Sequence, residues 1–115
     1  MQPKDRVRLL HMFESARDVE RYTSGKTLER YYEDEILRLA LTALFQKIGE
    51  AARKISDEFK LEHSEIEWEE IIGFRHRLVH GYNVIDFDIM WDIIQNDIPK
   101  LLTQLRALDL IDKSF

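Results

Sequence analysis

Apolar residues recur every three or four positions along almost the whole chain, and no stretch alternates as a half-buried strand would. A chain patterned this way must bury helical stripes against one another. Leu9, Met12/Phe13, Ala16, Val19 and Tyr22 form the first stripe. Pro3 suits an opening helical turn and Gly25 a left-handed cap, so the pattern predicts a first helix over about residues 4–24. Leu37, Leu41, Leu44, Ile48, Ala51/Ala52, Ile55 and Phe59 predict a long second helix over about 33–60, with the stretch Thr27–Tyr32 either a separate turn or part of it. Ser64-Glu65-Ile66-Glu67 has the form of a capping box before Trp68, Ile71, Ile72 and Leu78, and Gly81 offers a stop, predicting a third helix over about 65–80. Asp86 is placed to cap a last stripe running from Met90/Trp91 to Leu108, with Pro99 expected to kink it near Gln95. Four helices joined by short connections predict an all-α, antiparallel four-helix bundle, with room for an extra short helix. Gly49 and Gly73 fall inside helices two and three, where each costs about 1 kcal/mol against alanine, so a close crossing or subunit contact is expected at both.

Composition narrows the class. With 115 residues the chain is one domain long, and 44% hydrophobic content with 4 Gly and 2 Pro excludes a disordered or fibrous chain. The absence of cysteine excludes disulfide scaffolds, thiolate zinc sites and thiol catalysis. No apolar run approaches the ~20 residues of a membrane span, and Met1-Gln2-Pro3-Lys4-Asp5 does not read as a signal peptide, so a soluble cytoplasmic protein is expected. Bulk charge, at −5, does not point to nucleic acid.

One segment departs from that balance. From Ile71 to Ile85 the chain holds two Arg, two His and no acid, between a block with Glu62, Glu65, Glu67, Glu69 and Glu70 and one with Asp86, Asp88, Asp92 and Asp97. A local positive island with imidazole and phenol groups can hold a phosphodiester and move protons near neutral pH. Arg75 and His80 would lie about 140° apart on one helix, so they meet only if Arg75 reaches round, the helix end turns, or a second copy completes the cleft. Alternatively, Arg75 forms an ion pair and His80 caps a helix end. His76 and His80 have the spacing of two metal ligands on one helix face, but there is no third ligand at motif spacing and two arginines oppose a dication. His11 and His63 read as surface residues, Trp68 and Trp91 as core, and Glu50 and Lys54 as an i,i+4 pair on a solvated face.

Arg75-His76-Arg77-Leu78-Val79-His80-Gly81-Tyr82 fits Arg-x4-His-x-Tyr and resembles the signature of the HepT-like branch of the HEPN superfamily. The blocks 47–56, 67–73 and 85–102 resemble that family's second helix, its approach to the motif and its last helix, so the resemblance spans about residues 5–108. It implies a helical bundle that forms a homodimer with a shared cleft, and a metal-independent ribonuclease that needs no cofactor and acts on RNA as the toxin of a toxin–antitoxin module. It also implies a partner, a minimal nucleotidyltransferase that transfers AMP to the motif tyrosine. By position, Arg75 and His80 become the catalytic pair and Tyr82 the AMP acceptor, with His76 and Arg77 as candidate phosphate contacts. His76 departs from the family, which more often has Asn or Asp there. Two other readings stand beside this one: a non-catalytic HEPN module that supports a nucleotidyltransferase, and a plain helical dimerisation domain.

Overall fold

In the computed structural model, which describes residues 1–80 and 84–110, Pro3 occupies the first turn of α1 (Pro3–Thr23). Its stripe Leu9, Met12, Ala16 and Val19 is fully buried, each of the larger side chains contributing about 1.5–3 kcal/mol by leaving water. Beyond the helix end Gly25 takes φ +73°, the left-handed conformation expected of it. Thr27 then caps a separate short helix, α2 (Leu28–Glu33), by accepting from the Arg30 amide at 3.1 Å. Tyr31 of α2 is fully buried and donates its hydroxyl to the Phe87 carbonyl at 2.8 Å. Burial, and next to it the negative charge of neighbouring Tyr32, push its phenol pKa well above the ordinary range.

Asp34 caps α3 (Glu35–Arg53) through the Leu37 amide. The long second helix predicted to reach residue 60 stops here, because Ser56 makes better bonds outside a helix. The buried Asp5 carboxylate of α1 accepts from the Ser56 amide at 2.8 Å and from its hydroxyl at 2.6 Å. The same hydroxyl accepts from the Phe59 amide and caps α4 (Asp57–Glu62). Charge-assisted bonds to a buried carboxylate outweigh two further helical bonds. Glu50 pairs with Arg53 at 2.7 Å rather than with Lys54.

The third predicted helix is also replaced. Ser64 and Glu65 lie in a tight turn in which Trp68 Nε1 donates to the His63 carbonyl, so the capping box does not form, and α5 (Trp68–Ile72) begins with no side-chain cap. His63 is not a plain surface residue: its ring stacks on Phe59 at 4.4 Å and bonds Glu65. Gly73 ends α5, and α6 (Phe74–Leu78) follows at once. Instead of continuing to residue 80, the chain enters a two-residue antiparallel ladder, β1 (Val79–His80) with β2 (Val84–Ile85), pairing Val79 with Ile85 and His80 with Val84. No strand was expected, but three of these four residues are β-branched, and two paired residues are too few to show a period.

Asp86 caps α7 (Phe87–Asp92) as expected, accepting from the Ile89 amide. The chain widens into a π-helical turn over Ile93–Asp97 and continues as α8 (Ile98–Arg106), with Pro99 in its first turn. The disturbance lies where Pro99 was expected to cause one, and its form is a π turn that accommodates the missing donor and the ring. Helix α1 packs on α3 and α8, and α3 packs on α5 and α6, around one continuous apolar cluster. The architecture is an all-α bundle of the expected class, built with more and shorter helices. No described helix is long and apolar enough to cross a membrane.

Gly49 makes the α3–α5 crossing close, as expected: a Cβ there would sit 3.3 Å from the Ile71 carbonyl oxygen and 3.4 Å from that of Ile72. Gly73 makes no such crossing; it is the break between α5 and α6, tight against the Glu69 carbonyl. A branched side chain at 49 must push α5 away. Gly49→Val is therefore expected to lower unfolding free energy by about 1–3 kcal/mol in urea titration, with Gly49→Ala much milder because it gains helix propensity. An unchanged midpoint for the valine variant would remove the crossing from the account.

Candidate active site

Helix α6 is only five residues long, and its position is fixed by its two buried side chains, Phe74 and Leu78. The Phe74 ring meets Phe45 of α3 edge-on at 5.3 Å, a geometry worth about 0.5–1.5 kcal/mol beyond burial. With Phe74 and Leu78 turned inward, Arg75 and His76 are left exposed and Arg77 half-buried. Spacing of i, i+4 for the anchors makes this the only outcome a single turn of helix allows.

The two arginines face different surroundings. Arg77 Nη1 donates to Asp97 at 2.9 Å and lies 4.0 Å from Glu70, with its guanidinium over the Phe74 ring. Beyond it, Lys100 bonds Glu67 at 3.0 Å, which holds the Glu67 carboxyl below its usual range, whereas Glu67 pushes the neighbouring Glu70 upward. This side of the motif is a balanced ionic network. Arg77, a candidate phosphate contact on sequence grounds, has its charge engaged there and ties α6 to the π turn.

Arg75 borders a small hollow of about 50 Å³ with Thr42, Phe45 and Gln46 of α3, Leu78 of α6 and Ile85 of β2. Among the described residues neither Arg75 nor His76 has a hydrogen bond or ion pair. The basic island thus holds one arginine paired with acids and one that makes no ion pair among the described residues, on opposite sides of α6. The 140° separation expected for Arg75 and His80 does not apply, because His80 belongs to β1 and not to a helix. Its backbone pairs with Val84. The His80 side chain and Tyr82 lie outside the described residues, so the catalytic pair and the AMP acceptor inferred from sequence are placed only through Arg75 and the β1–β2 ladder.

Sequence reasoning missed the α3 wall of this site. Arg38, Thr42 and Gln46 repeat at i, i+4 and i+8 and form a polar line beside the buried stripe; that line was the available signal. It also missed an unpartnered apolar band. Ile36 is 80% exposed and Leu39 60% on α3, and Val84 of β2 is 62% exposed. Leu39 lies about 60° round the helix from Thr42, while Val84, next to Ile85 along β2, projects from the opposite face of the ladder.

The family model described as Ribonuclease HepT-like matches residues 12–108. The chain belongs to the HepT-like ribonuclease family. It is 32% identical over 100 residues to a Methanocaldococcus jannaschii protein named a putative RNase, covering 87% of this chain and 92% of that one. It is 30% identical over 100 residues to a putative RNase of Caldanaerobacter subterraneus subsp. tengcongensis, covering 87% and 89%. A probable ribonuclease HepT of Thermococcus cleftensis shares 32% over 90 residues, 78% of this chain and 82% of its own. No solved structure matches. The HepT-like match includes the whole of α6 and the ladder, so Arg75 and the hollow lie within the shared segment.

Proposed function

We propose that this HepT-like chain is a metal-independent endoribonuclease, one domain over residues 1–115, acting in the cytoplasm as the toxin of a toxin–antitoxin module. The observation that supports this best is Arg75, an exposed guanidinium that makes no ion pair among the described residues, at the family's motif position beside a hollow lined by Thr42, Phe45 and Gln46 of α3. In a protein of net charge −5, an exposed arginine with no acid paired to it among the described residues is an anion-binding group.

In the proposed reaction the ribose 2′-oxygen attacks the adjacent phosphorus, the bond to the 5′-oxygen breaks, and a 2′,3′-cyclic phosphate remains. His80 takes the 2′-hydroxyl proton or supplies one to the leaving 5′-oxygen. Arg75 stabilises the charge growing on the non-bridging oxygens. This chemistry needs no cofactor. His76, exposed beside Arg75, is a candidate phosphate contact; Arg77 serves structure.

A hollow of about 50 Å³ is far smaller than the several hundred Å³ of a usual ligand site, so one copy supplies only one wall. We place the second wall on a second copy, seated on Ile36, Leu39 and Val84, so that the motifs of both subunits line one cleft that takes RNA. Control comes from a partner nucleotidyltransferase. The Tyr82 phenol oxygen attacks the α-phosphorus of ATP, pyrophosphate leaves, the phenolic proton passes to the partner's base, and AMP remains on the tyrosine. Added bulk and negative charge beside Arg75 and His80 would exclude RNA phosphate.

Intact-mass measurement after incubation with ATP and the cognate enzyme tests this control. Wild type is expected to gain one or more adenylyl groups as RNA cleavage falls in step, and Tyr82→Phe to gain none and stay active. Equal gain in both would remove Tyr82 as the sole acceptor. An unmodified wild type that cleaves no RNA would instead favour the non-catalytic binding module.

A further inference from the structure

The α3 wall carries a second guanidinium that the reaction above does not use. Arg38 sits two turns before Gln46 on the same polar line, half-buried, its guanidinium 4.9 Å from the centre of the Phe87 ring. Its Nε is buried and has no hydrogen-bond partner, and among the described residues Arg38 makes no ion pair. Asp86 and Asp88, which act with Arg38 on the same pair of tyrosines, each accept a hydrogen bond from another group. Asp88 accepts from the Tyr32 hydroxyl, which with the burial there raises the Tyr32 phenol to about 12, and Asp86 caps α7 through the Ile89 amide. An arginine held by stacking, with a donor out of water and no acceptor, is incomplete as a structural group. It is well prepared as an anion site, because the ring fixes the planar fork before the ligand arrives.

We propose that Arg38 is a second RNA-phosphate contact, binding the backbone away from the phosphate that is cut. This rests on the ribonuclease reading and names the part of the substrate that the α3 wall would hold. Eight residues of helix place Arg38 about 12 Å from Gln46 along the axis, so it meets a phosphate about two nucleotides from the one beside Arg75. Thr42, whose hydroxyl bonds back to the Arg38 carbonyl, and Gln46 line the path between. The strand therefore runs along α3, from the β1–β2 ladder toward α2 and α7.

The test is the salt dependence of RNA binding. A fluorescent 2′-O-methyl RNA decamer, which cannot be cut, is titrated with the full chain by anisotropy at several salt concentrations. Losing one phosphate contact should reduce the slope of log K against log salt by about 0.7. Arg38→Gln is expected to show that reduction and about tenfold weaker binding at low salt, with an unchanged melting temperature; Arg38→Lys should keep the slope. Arg38→Leu, which preserves the apolar packing on Phe87, is the second uncharged variant and decides the matter should the glutamine variant fold poorly. In cleavage, the loss should appear in KM and grow with RNA length from dinucleotide to decamer. An unchanged salt slope in an uncharged, folded variant, or a loss equal at all lengths, would overturn the proposal. Failure of wild type to bind or cleave any RNA would overturn the ribonuclease reading beneath it.

Discussion

Arg75→Ala and His80→Ala are each expected to reduce RNA cleavage by at least ~100-fold, the scale on which a charge-stabilising donor or a general acid–base contributes to a transition state. The double variant should lose little more than the worse single one, since groups acting on one transition state are not additive. Arg75 is exposed and bonded to nothing among the described residues, so its removal should leave the melting temperature unchanged and separate chemistry from folding. Gel-based rates on a defined RNA, with melting curves for each variant, check both halves. Arg77→Ala should behave oppositely, disturbing stability through Asp97 more than cleavage. Full activity in both Arg75→Ala and His80→Ala would exclude them as the catalytic pair.

The second large effect concerns assembly. Ile36 and Leu39 leave wide apolar surface in water on α3, Leu39 about 60° round the helix from Thr42 of the hollow. Burying each against a second copy is worth up to about 1.5–3 kcal/mol. Replacing both by glutamate removes that and brings like charges together across a two-fold axis. Light scattering at micromolar concentration is expected to show a dimer for wild type and a monomer for the double glutamate variant. Cleavage should fall with dimer content, although Arg75 is untouched. A wild-type monomer, or a monomeric variant with full activity, would detach the site from assembly.

The bundle was legible because its signal is the buried stripe, and the stripe residues of α1, α3 and α8 are where their spacing put them, except that Tyr22 at the end of α1 is exposed and Thr23 is buried instead. Boundaries were less legible, and each miss has a local cause. Ser56 looked like a helix interior residue until Asp5, far away in the chain, supplied its hydrogen bonds. The Ser64–Glu67 capping box lost to the turn closed by Trp68, a choice made by where the indole could be buried. The ladder after Leu78 was hidden because its few residues continue an apolar run that fits a helix equally well. At the site, the motif itself was legible in the sequence. It did not show that α6 is a single turn whose two arginines face opposite surroundings, one paired with Asp97 and the other with no ion pair among the described residues. That division depends on Phe74 and Leu78 being the anchors, and on Asp97 arriving from the π turn, a contact across 20 residues that no local pattern announces.

This chain is expected to cut RNA by internal attack of the ribose hydroxyl, with Arg75 stabilising the phosphate. The most direct measurement is the chemical nature of the product ends when purified protein is incubated with a defined RNA in excess EDTA. The account predicts fragments ending in 2′,3′-cyclic phosphate, or its hydrolysed form, opposite 5′-hydroxyl ends, and their loss in Arg75→Ala. Cleavage abolished by the chelator, or products carrying 3′-hydroxyl and 5′-phosphate ends, would contradict it.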